Sequence, residues 1–407
     1  MIIELIGRVS KMVLRYCSLV VFRTHVRNLS HYTPPGYTKV VPTAEIKKFC
    51  VRCLTKVGVQ SKHAIALSDV LVSGDYRGHY SHGLNRLEMY VQDIKKGVCA
   101  TDTEPAVVKE TVSTALVDGK NALGPVVGNF AMEKAIAKAH KTGIAFVAAF
   151  GSNHFGIAGW YSLMALQEGL IGLAFTNTSP LVFPTRARKL AVGTNPLTLA
   201  APGKVPDDHF VLDMATSAVA LGKIEMNRRR GLEIPIGWGA DQDGKACIDP
   251  NVVVTKGGLM PLGGEEEHSG YKGYGLGMLV EILCGIIANA DFGPNVRRWM
   301  TTEKQANLGQ SFLAIDPKAF APGFEQRLSE YVNIMRNLPP VDDREPVVVP
   351  GDFEREHMVE CDQLGGIPYP PVLLESLSSL EIVTDESVKA TFDCLGDINK
   401  RRLIFVF

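Results

Sequence analysis

Continuous apolar runs alternate with amphipathic helical patterns through the middle of this chain, and that alternation most constrains its fold. Residues 144–150 form an unbroken apolar run typical of a strand buried on both faces, and residues 171–176 form a second. Helical patterns over residues 126–141 and 156–167 precede and separate these runs. Alternation of strands and helices predicts an α/β fold with a central sheet.

Helical patterns dominate both ends of the chain. We predict helices over residues 43–57, 61–76, 84–96, 217–230, 271–288, 324–337 and 372–380, and further strands over residues 107–109, 113–118, 197–201, 210–213 and 312–316. We expect a central α/β lobe over residues 123–310 and a helical lobe formed by residues 41–122 and 311–380. Residues 1–40 would be an N-terminal extension, and residues 381–407 a tail.

Charge and cysteine content exclude several classes of protein. Lys plus Arg and Asp plus Glu each number 43, so the formal net charge is zero and no global field attracts nucleic acid or an anionic membrane. No apolar run has the length of a membrane span. The eight cysteines lack disulfide-like spacing, which indicates a reducing compartment such as the cytoplasm, and the CxxC at Cys50 and Cys53 fits ordinary buried thiols better than a redox or zinc pair.

The N-terminal extension has a composition of its own. Between residues 6 and 44 there is no Asp or Glu, whereas several Arg and Lys residues occur. An acid-poor, Arg-bearing start is typical of a transit peptide, so a mitochondrial matrix location is one interpretation. A disordered extension is the other.

The segment 78–90, GHYSHGLNRLEMY, carries the sharpest chemical signal. On one helix, a turn of about 100° per residue would put His82, Arg86 and Tyr90 on a common face. Arg offers a planar fork that matches a carboxylate, and a His one turn away exchanges protons near neutral pH. The pattern indicates a site for a small acid that bears a hydroxyl or carbonyl group, although a solvated helix face would have the same spacing.

Four further segments carry candidate ligand contacts, and the first three lie at predicted strand ends, which is where α/β proteins bind ligands. GSNHFGIAG at residues 151–159 places His154 ahead of a helix start, although a buried structural His is the alternative. TNTSP and GTNP contain Thr178 and Thr194, and LDMATS contains Asp213, which fits either a ribose contact or a helix cap. SGYKGYGLG holds Lys272, a candidate phosphate contact, but follows no strand, so it is not a Rossmann fingerprint.

Taken in order, these motifs resemble the type-2 malate/L-lactate dehydrogenase family, which includes ureidoglycolate and sulfolactate dehydrogenases and cyclic imine reductases. The resemblance covers residues 45–366, and its other motifs are IPIGWGADQDG at residues 234–244 and VPGD at residues 349–352. It implies a non-Rossmann α/β fold, a homodimer, and NAD or NADP as the cofactor of a dehydrogenase for small 2-hydroxy or 2-oxo acids.

The resemblance also implies roles for individual residues. Arg86 would hold the substrate carboxylate with Tyr90 and Thr194 beside it, and Ser81, His82 and His154 would be catalytic, with either histidine able to carry the proton. The cofactor would be bound by the residues His154, Phe155, Gly156, Ile157, Ala158, Thr178, Leu212, Asp213, Met214, Lys272, Pro350, Gly351 and Asp352. No metal is implied.

Some alternatives stay open. Imine reductases of the family tend to carry an acidic residue near the position of Lys223, which disfavours imine reduction here. PTRARK at residues 184–189 replaces a glycine-rich turn, so Arg186 and Arg188 could meet a cofactor phosphate, meet a dicarboxylate or face solvent. A hydrolase that uses Ser81 or Ser152 lacks the GxSxG nucleophile elbow, and a catalytically silent binding protein would not need the intact His and Arg residues.

Overall fold

The computed structural model describes residues 33–378 and 396–397, and the predicted N-terminal extension lies largely outside that range. A seven-stranded sheet forms the centre. Its strands are β2 (Ala106–Glu110), β3 (Thr114–Asp118), β4 (Ile144–Ser152), β5 (Ile171–Thr176), β6 (Leu197–Ala201), β7 (Phe210–Met214) and β11 (Leu308–Ile315). The order across the sheet is β2-β3-β4-β11-β5-β6-β7, and of these pairs only β3 and β4 run parallel. The mixed sheet confirms the predicted non-Rossmann α/β fold.

The predicted strands of the central sheet are all present. The apolar run at residues 144–150 extends two residues further to Ser152, and β11 begins four residues before the predicted residue 312 because Leu308 and Gln310 continue the ladder with β4. β11 fills the position between β4 and β5 and is buried over most of its length. It therefore joins the two halves of the sheet.

Helices cover the sheet and build the ends of the molecule. They are α1 (Thr43–Lys56), α2 (Ser61–Tyr76), α3 (Leu87–Lys95), α4 (Gly124–Thr142), α5 (Gly159–Gln167), α6 (Leu221–Arg230), α7 (Pro250–Thr255), α8 (Gly270–Glu281), α9 (Phe324–Arg336), α10 (Asp352–Leu364) and α11 (Pro371–Ser378). A π-helical turn, Ile282–Ile286, continues α8. Helix α6 begins four residues later than predicted, and α10 occupies a segment that the sequence had not indicated as helical.

Two small sheets complete the fold. β1 (Lys39–Val41) pairs with β12 (Ile367–Tyr369) and with β13 (Gly396–Asp397), so the two ends of the described chain meet in one sheet. β8 (Gly239–Ala240), β9 (Ala246–Cys247) and β10 (Gly258–Leu259) form the other. None of these short strands was predicted. Among the described residues, no helix is long and apolar enough to cross a membrane.

One large apolar core joins the helices of the N-terminal part to the sheet. It contains Cys50 and Cys53 on α1, the ring of Tyr161 on α5 and the ring of Phe312 on β11. Both cysteines are buried free thiols, and burial raises the pKa of each, to about 11 for Cys53. Within the described chain no cluster of metal-binding side chains occurs. The CxxC is therefore part of the core, as predicted.

Candidate active site

The segment that carries Ser81, His82 and Arg86 is not the single helix that the sequence predicted. Two 3-10 turns, Tyr80–His82 and Leu84–Arg86, precede α3, and Gly83 separates them with an extended ψ of −138°. His82 and Arg86 are therefore not one turn apart on an α-helix. The Nε atom of Arg86 donates a hydrogen bond to the Ser81 carbonyl at 2.6 Å, and the charge of Arg86 contributes to lowering the pKa of His82, so the two side chains are still close neighbours.

The buried carboxyl group of Asp75 fixes the position of this segment. Asp75, near the end of α2, accepts hydrogen bonds through Oδ2 from the Leu84 backbone N–H at 2.8 Å and from the Tyr369 hydroxyl at 2.6 Å. A Cβ at Gly83 would lie 1.8 Å from Oδ1 of Asp75, so only glycine fits there. Burial raises the pKa of Asp75 to about 7, and its two hydrogen bonds oppose that rise. The sequence analysis did not identify Asp75.

The two candidate histidines lie together. The rings of His82 and His154 are stacked, with centroids 5.7 Å apart and planes 9° from parallel. Each ring is oriented by a different hydroxyl: Ser81 Oγ lies 2.8 Å from Nδ1 of His82, and Tyr90 Oη lies 2.6 Å from Nδ1 of His154. Residues that are far apart in sequence therefore form one cluster at the carboxyl end of β4, as the motifs predicted.

Both imidazoles are held in the neutral form. Burial and, to a smaller extent, the charge of Arg86 lower the pKa of His154 to about 3. Burial also lowers the pKa of His82 well below its usual value, with contributions from His154 and Arg86. Both rings are therefore unprotonated at neutral pH, which is the state a general base must be in before it takes a proton from a hydroxyl group.

Arg86 supplies the positive charge of the cluster. Its guanidinium carbon lies 5.3 Å from the centre of the Trp299 ring, and that ring lies 5.8 Å from the ring of His154. Burial lowers the pKa of Arg86, while the nearby Glu225 raises it. Among the described residues its one hydrogen bond is made by Nε, so the two terminal nitrogens remain available for a carboxylate. Trp299 lies in a loop without periodicity, and no sequence signal identified it.

The loop after β4 offers backbone groups more than side chains. The side chains of Phe155, Ile157 and Ala158 are almost fully buried, and Phe155 stacks on Tyr161 in the core. Gly156 has a φ of +79°, and a Cβ there would lie 2.2 Å from Val70. A ligand could meet these residues only through their backbone atoms.

Asp213 caps the start of α5 from β7 and does not cap the helix that follows it in sequence, which was one of its two predicted roles. Its Oδ2 accepts a hydrogen bond from the Gly159 backbone N–H at 2.8 Å, at the start of α5. Its neighbours Leu212 and Met214 on β7 are half-buried. The cap holds the beginning of α5, and with it the loop that carries His154, against the edge of the central sheet.

TNTSP and GTNP are joined by a buried carboxylate. Glu281 on α8 accepts hydrogen bonds from the side-chain amides of Asn177 and Asn195, each at 3.0 Å. The hydroxyls of Thr178 and Thr194 lie 3.3 Å apart on the same loops and are half-buried. The asparagines are therefore structural, and the threonines are the members of these motifs that a ligand could reach.

A cavity of about 880 Å³ lies beside the segment that leads into Ser81. Its lining includes Arg77, His79, Phe353 and Glu354, and residues 340–348 form another wall. The Nε2 atom of His79 is buried there without a hydrogen bond. The volume is that of a site for a small-molecule ligand or cofactor.

The VPGD motif lies between Val348 and Phe353, which line this cavity, and is firmly fixed. Gly351 has a φ of +100°, and the Pro350 carbonyl accepts a hydrogen bond from the Val211 N–H on β7 at 3.2 Å. Asp352 is paired with Arg336 and Arg355, so its carboxylate is already neutralised by this chain. That pairing leaves the backbone of the motif, rather than the Asp352 side chain, to face a ligand.

Three predicted cationic candidates lie on the surface. The exposed side chain of Arg186 pairs with Glu266, and that of Arg188 pairs with Asp243. Lys272, at the start of α8, is exposed and lies 5.9 Å from the centre of the Tyr271 ring. Both arginines face solvent, which was one of the alternatives for PTRARK.

The cluster places a guanidinium, whose two terminal nitrogens are free among the described residues, beside two neutral imidazoles, groups that suit the binding of a carboxylate and the exchange of a proton. Comparison with known proteins agrees. Residues 41–378 match the family model described as malate/L-lactate dehydrogenase. Malate dehydrogenase of Pyrococcus abyssi is 42% identical over 352 residues, which cover 86% of this chain and 96% of that protein.

Other relatives and solved structures agree as well. L-sulfolactate dehydrogenase of Methanocaldococcus jannaschii is 36% identical over 316 residues, which cover 77% of this chain and 89% of that protein. The structure of malate dehydrogenase from Pyrococcus horikoshii OT3 aligns with a TM-score of 0.78 at 38% identity, and the alignment covers 86% of this chain and 96% of that one. The chain therefore belongs to the malate/L-lactate dehydrogenase family, as its motifs predicted.

Proposed function

We propose that this protein is an NAD(P)-dependent dehydrogenase that interconverts small 2-hydroxy and 2-oxo acids of the malate or lactate type. The observation that carries the proposal is the cluster of Arg86, His154 and Tyr90 at the end of β4. Relatives described as malate, sulfolactate and ureidoglycolate dehydrogenases support it, because each name describes a 2-hydroxy acid.

In the proposed mechanism, the terminal nitrogens of Arg86 bind the C1 carboxylate and so fix the face that C2 presents. His154 takes the proton of the C2 hydroxyl during oxidation and returns it to the C2 oxygen during reduction. In this mechanism Nδ1–H of His154 donates to the Tyr90 hydroxyl, which donates in turn to the His154 carbonyl, so Nε2 keeps the lone pair that takes the substrate proton. Ser81 and His82 form the opposite wall of the site. Placing the reacting groups in this way lowers the barrier by several kcal/mol.

The cavity near VPGD fits a dinucleotide. It has a volume of about 880 Å³ and borders the segment that leads into Ser81, and His79 and Glu354, whose Nε2 and Oε1 atoms lie 3.4 Å apart, supply polar groups to its lining. We propose that backbone groups of residues 155–158 and 350–351, with Thr178, Thr194 and Lys272, hold NAD or NADP. When bound, the nicotinamide exchanges a hydride with C2 of the acid.

A substrate panel tests the proposal. Purified protein is mixed with NADH or NADPH and with pyruvate, oxaloacetate, sulfopyruvate or Δ1-piperideine-2-carboxylate, and loss of the reduced-nicotinamide absorbance is followed. We expect turnover with at least one 2-oxo acid and with one cofactor preferred. Turnover of the cyclic imine alone would instead indicate an imine reductase, and no turnover with any pair would refute the proposal. Ester hydrolysis tests the remaining alternative, for which Ser152 is unsuitable because it is fully buried.

We also propose that two copies of the chain form a homodimer through the outer face of α8 and the π-helical turn. This face exposes a row of large apolar side chains, namely Met278, Leu279, Ile282, Ile286 and Ile287, each between 42 and 53% exposed. Such a contiguous apolar face is typical of a protein interface. Light scattering coupled to gel filtration should give the dimer mass, and Ile282→Glu should give the monomer. A monomeric wild type would refute the assignment.

A further inference from the structure

We propose that Trp299 is the specificity-determining wall of the substrate pocket and selects acids with a compact group on C2. The inference rests on the proposed function and deepens it. Neither the motifs nor the helical spacing of residues 78–90 pointed to Trp299, which lies more than two hundred residues further along the chain.

The first observation is the position of the indole. It lies within 6 Å of both groups that a 2-oxo acid must meet: 5.3 Å separate its ring centre from the Arg86 guanidinium carbon, and 5.8 Å separate it from the His154 ring centre. An acid that places C1 on Arg86 and its C2 oxygen on His154 has only C3 left to accommodate. The indole borders the space that remains for C3 and everything attached to it.

The second observation is that the loop carrying Trp299 is fixed to α3, the helix that follows Arg86. Arg297, two residues before Trp299, pairs with Asp93 on α3, with Nη2 to Oδ2 at 2.7 Å. Both side chains are nearly buried, with 12 and 11% of their surface exposed. Ser179 Oγ adds a hydrogen bond of 2.7 Å to the Arg297 carbonyl. Helix α3 begins directly after Arg86, so anchor and wall are held by one rigid element.

The chemistry of the wall follows from the indole. Its face attracts the guanidinium and holds the fork of Arg86 in a defined plane. Its bulk excludes long or branched C3 substituents, because the ion pair between Arg297 and Asp93 keeps the Trp299 loop from moving away. The pocket should therefore favour the compact side chains of pyruvate and oxaloacetate over that of phenylpyruvate.

The test compares three variants on a graded series of 2-oxo acids. Trp299→Ala removes the indole ring, and Trp299→Phe replaces it with a smaller ring. Trp238→Phe is a matched control, because Trp238 packs in a separate apolar cluster around Ile224. The quantity measured is the ratio of kcat/KM for phenylpyruvate to that for pyruvate. We expect Trp299→Ala to raise this ratio by at least about tenfold, Trp299→Phe to raise it less, and the control to leave it unchanged. An equal ratio in Trp299→Ala and the control would overturn the inference.

A binding measurement keeps this inference separate from the proposed function. Oxamate, a non-reacting analogue of pyruvate, is titrated into the wild type and the Phe variants while tryptophan fluorescence is followed. The chain has three tryptophans. We expect oxamate to change the fluorescence of the wild type and of Trp238→Phe but not of Trp299→Phe. An equal change in all three, or no change in the wild type, would overturn the inference. If no 2-oxo acid is turned over by the wild type, the proposed function fails while this titration still decides the place of Trp299.

Discussion

Two hydroxyls distinguish the two histidines, and this allows the proton carrier to be identified. Tyr90 Oη lies 2.6 Å from Nδ1 of His154 and also donates to the His154 carbonyl at 3.3 Å, whereas Ser81 Oγ lies 2.8 Å from Nδ1 of His82. Tyr90→Phe therefore releases the His154 ring and leaves His82 held, whereas Ser81→Ala does the opposite. We predict that Tyr90→Phe lowers kcat much more than Ser81→Ala.

The size of the expected decrease in kcat follows from the burial of the hydrogen bond between Tyr90 and His154. The Tyr90 side chain is buried, and burial holds the pKa of its hydroxyl well above the usual value, so the group stays protonated and available for hydrogen bonding. Removing one partner of a buried hydrogen bond costs about 1–3 kcal/mol. If that cost falls on the orientation of His154 in the transition state, kcat decreases by about 5- to 150-fold.

Steady-state kinetics in both directions measure this effect, with the KM for the cofactor as the control for cleft integrity. Circular dichroism of the variants checks that the fold is retained. The result that would refute the reasoning is a Tyr90→Phe variant with unchanged kcat beside a Ser81→Ala variant with a large loss. His82 would then carry the proton, and His154 would be the supporting ring.

Three further predictions concern other contacts of the site. Arg86→Ala should lower kcat/KM for 2-oxo acids by at least about thirtyfold, because loss of a charged partner costs about 2–5 kcal/mol; unchanged kcat/KM would mean that the carboxylate binds elsewhere. The pKa of Asp75 is raised to about 7 in the folded protein, so its contribution to stability is present below about pH 4 and is lost as the pH rises to about 7. Asp75→Asn keeps the acceptor oxygen but does not titrate, so thermal unfolding of this variant at pH 4.5, 6 and 8 should depend less on pH than that of the wild type. Asp93→Asn should lower the free energy of unfolding, measured by urea titration, by up to about 3–5 kcal/mol, because it leaves Arg297 buried without its counter-charge. A change near zero would mean that the ion pair does not hold the Trp299 loop.

The central sheet could be predicted from the sequence because its strands are buried runs whose signal is local. Residues 144–150 and 171–176 are apolar along their whole length, so no tertiary contact is needed to recognise them. The short strands β1, β8 and β12 could not be predicted, because each has only two or three residues and exists through pairing with a distant partner. Lys39 opposite Tyr369 is one such pair.

The start of α3 shows that the predicted site residues come together in a local structure different from the predicted one. Helical spacing placed His82 and Arg86 on one face, but Gly83 breaks the helix between them, and Asp75 fills the space that any side chain there would need. Arg86 is fixed to this segment instead through the backbone carbonyl of Ser81. The residue types predicted the chemistry, and the geometry came from a buried carboxyl eight residues before Gly83.

The parts of the site that the sequence did not indicate have one physical property in common. Asp75 and Trp299 act on the motif residues from outside the motifs, Asp75 through hydrogen bonds to a backbone and Trp299 through the face of its ring. Such contacts need a particular placement in space and no particular spacing along the chain. Asp93 links the Trp299 loop to the helix that follows Arg86, so under the proposed function residues 93, 297 and 299 would set the shape of the pocket, while residues 81–90 and 154 would carry the chemistry. Relatives could therefore keep the chemistry of the motifs and differ in substrate by changing the loop alone.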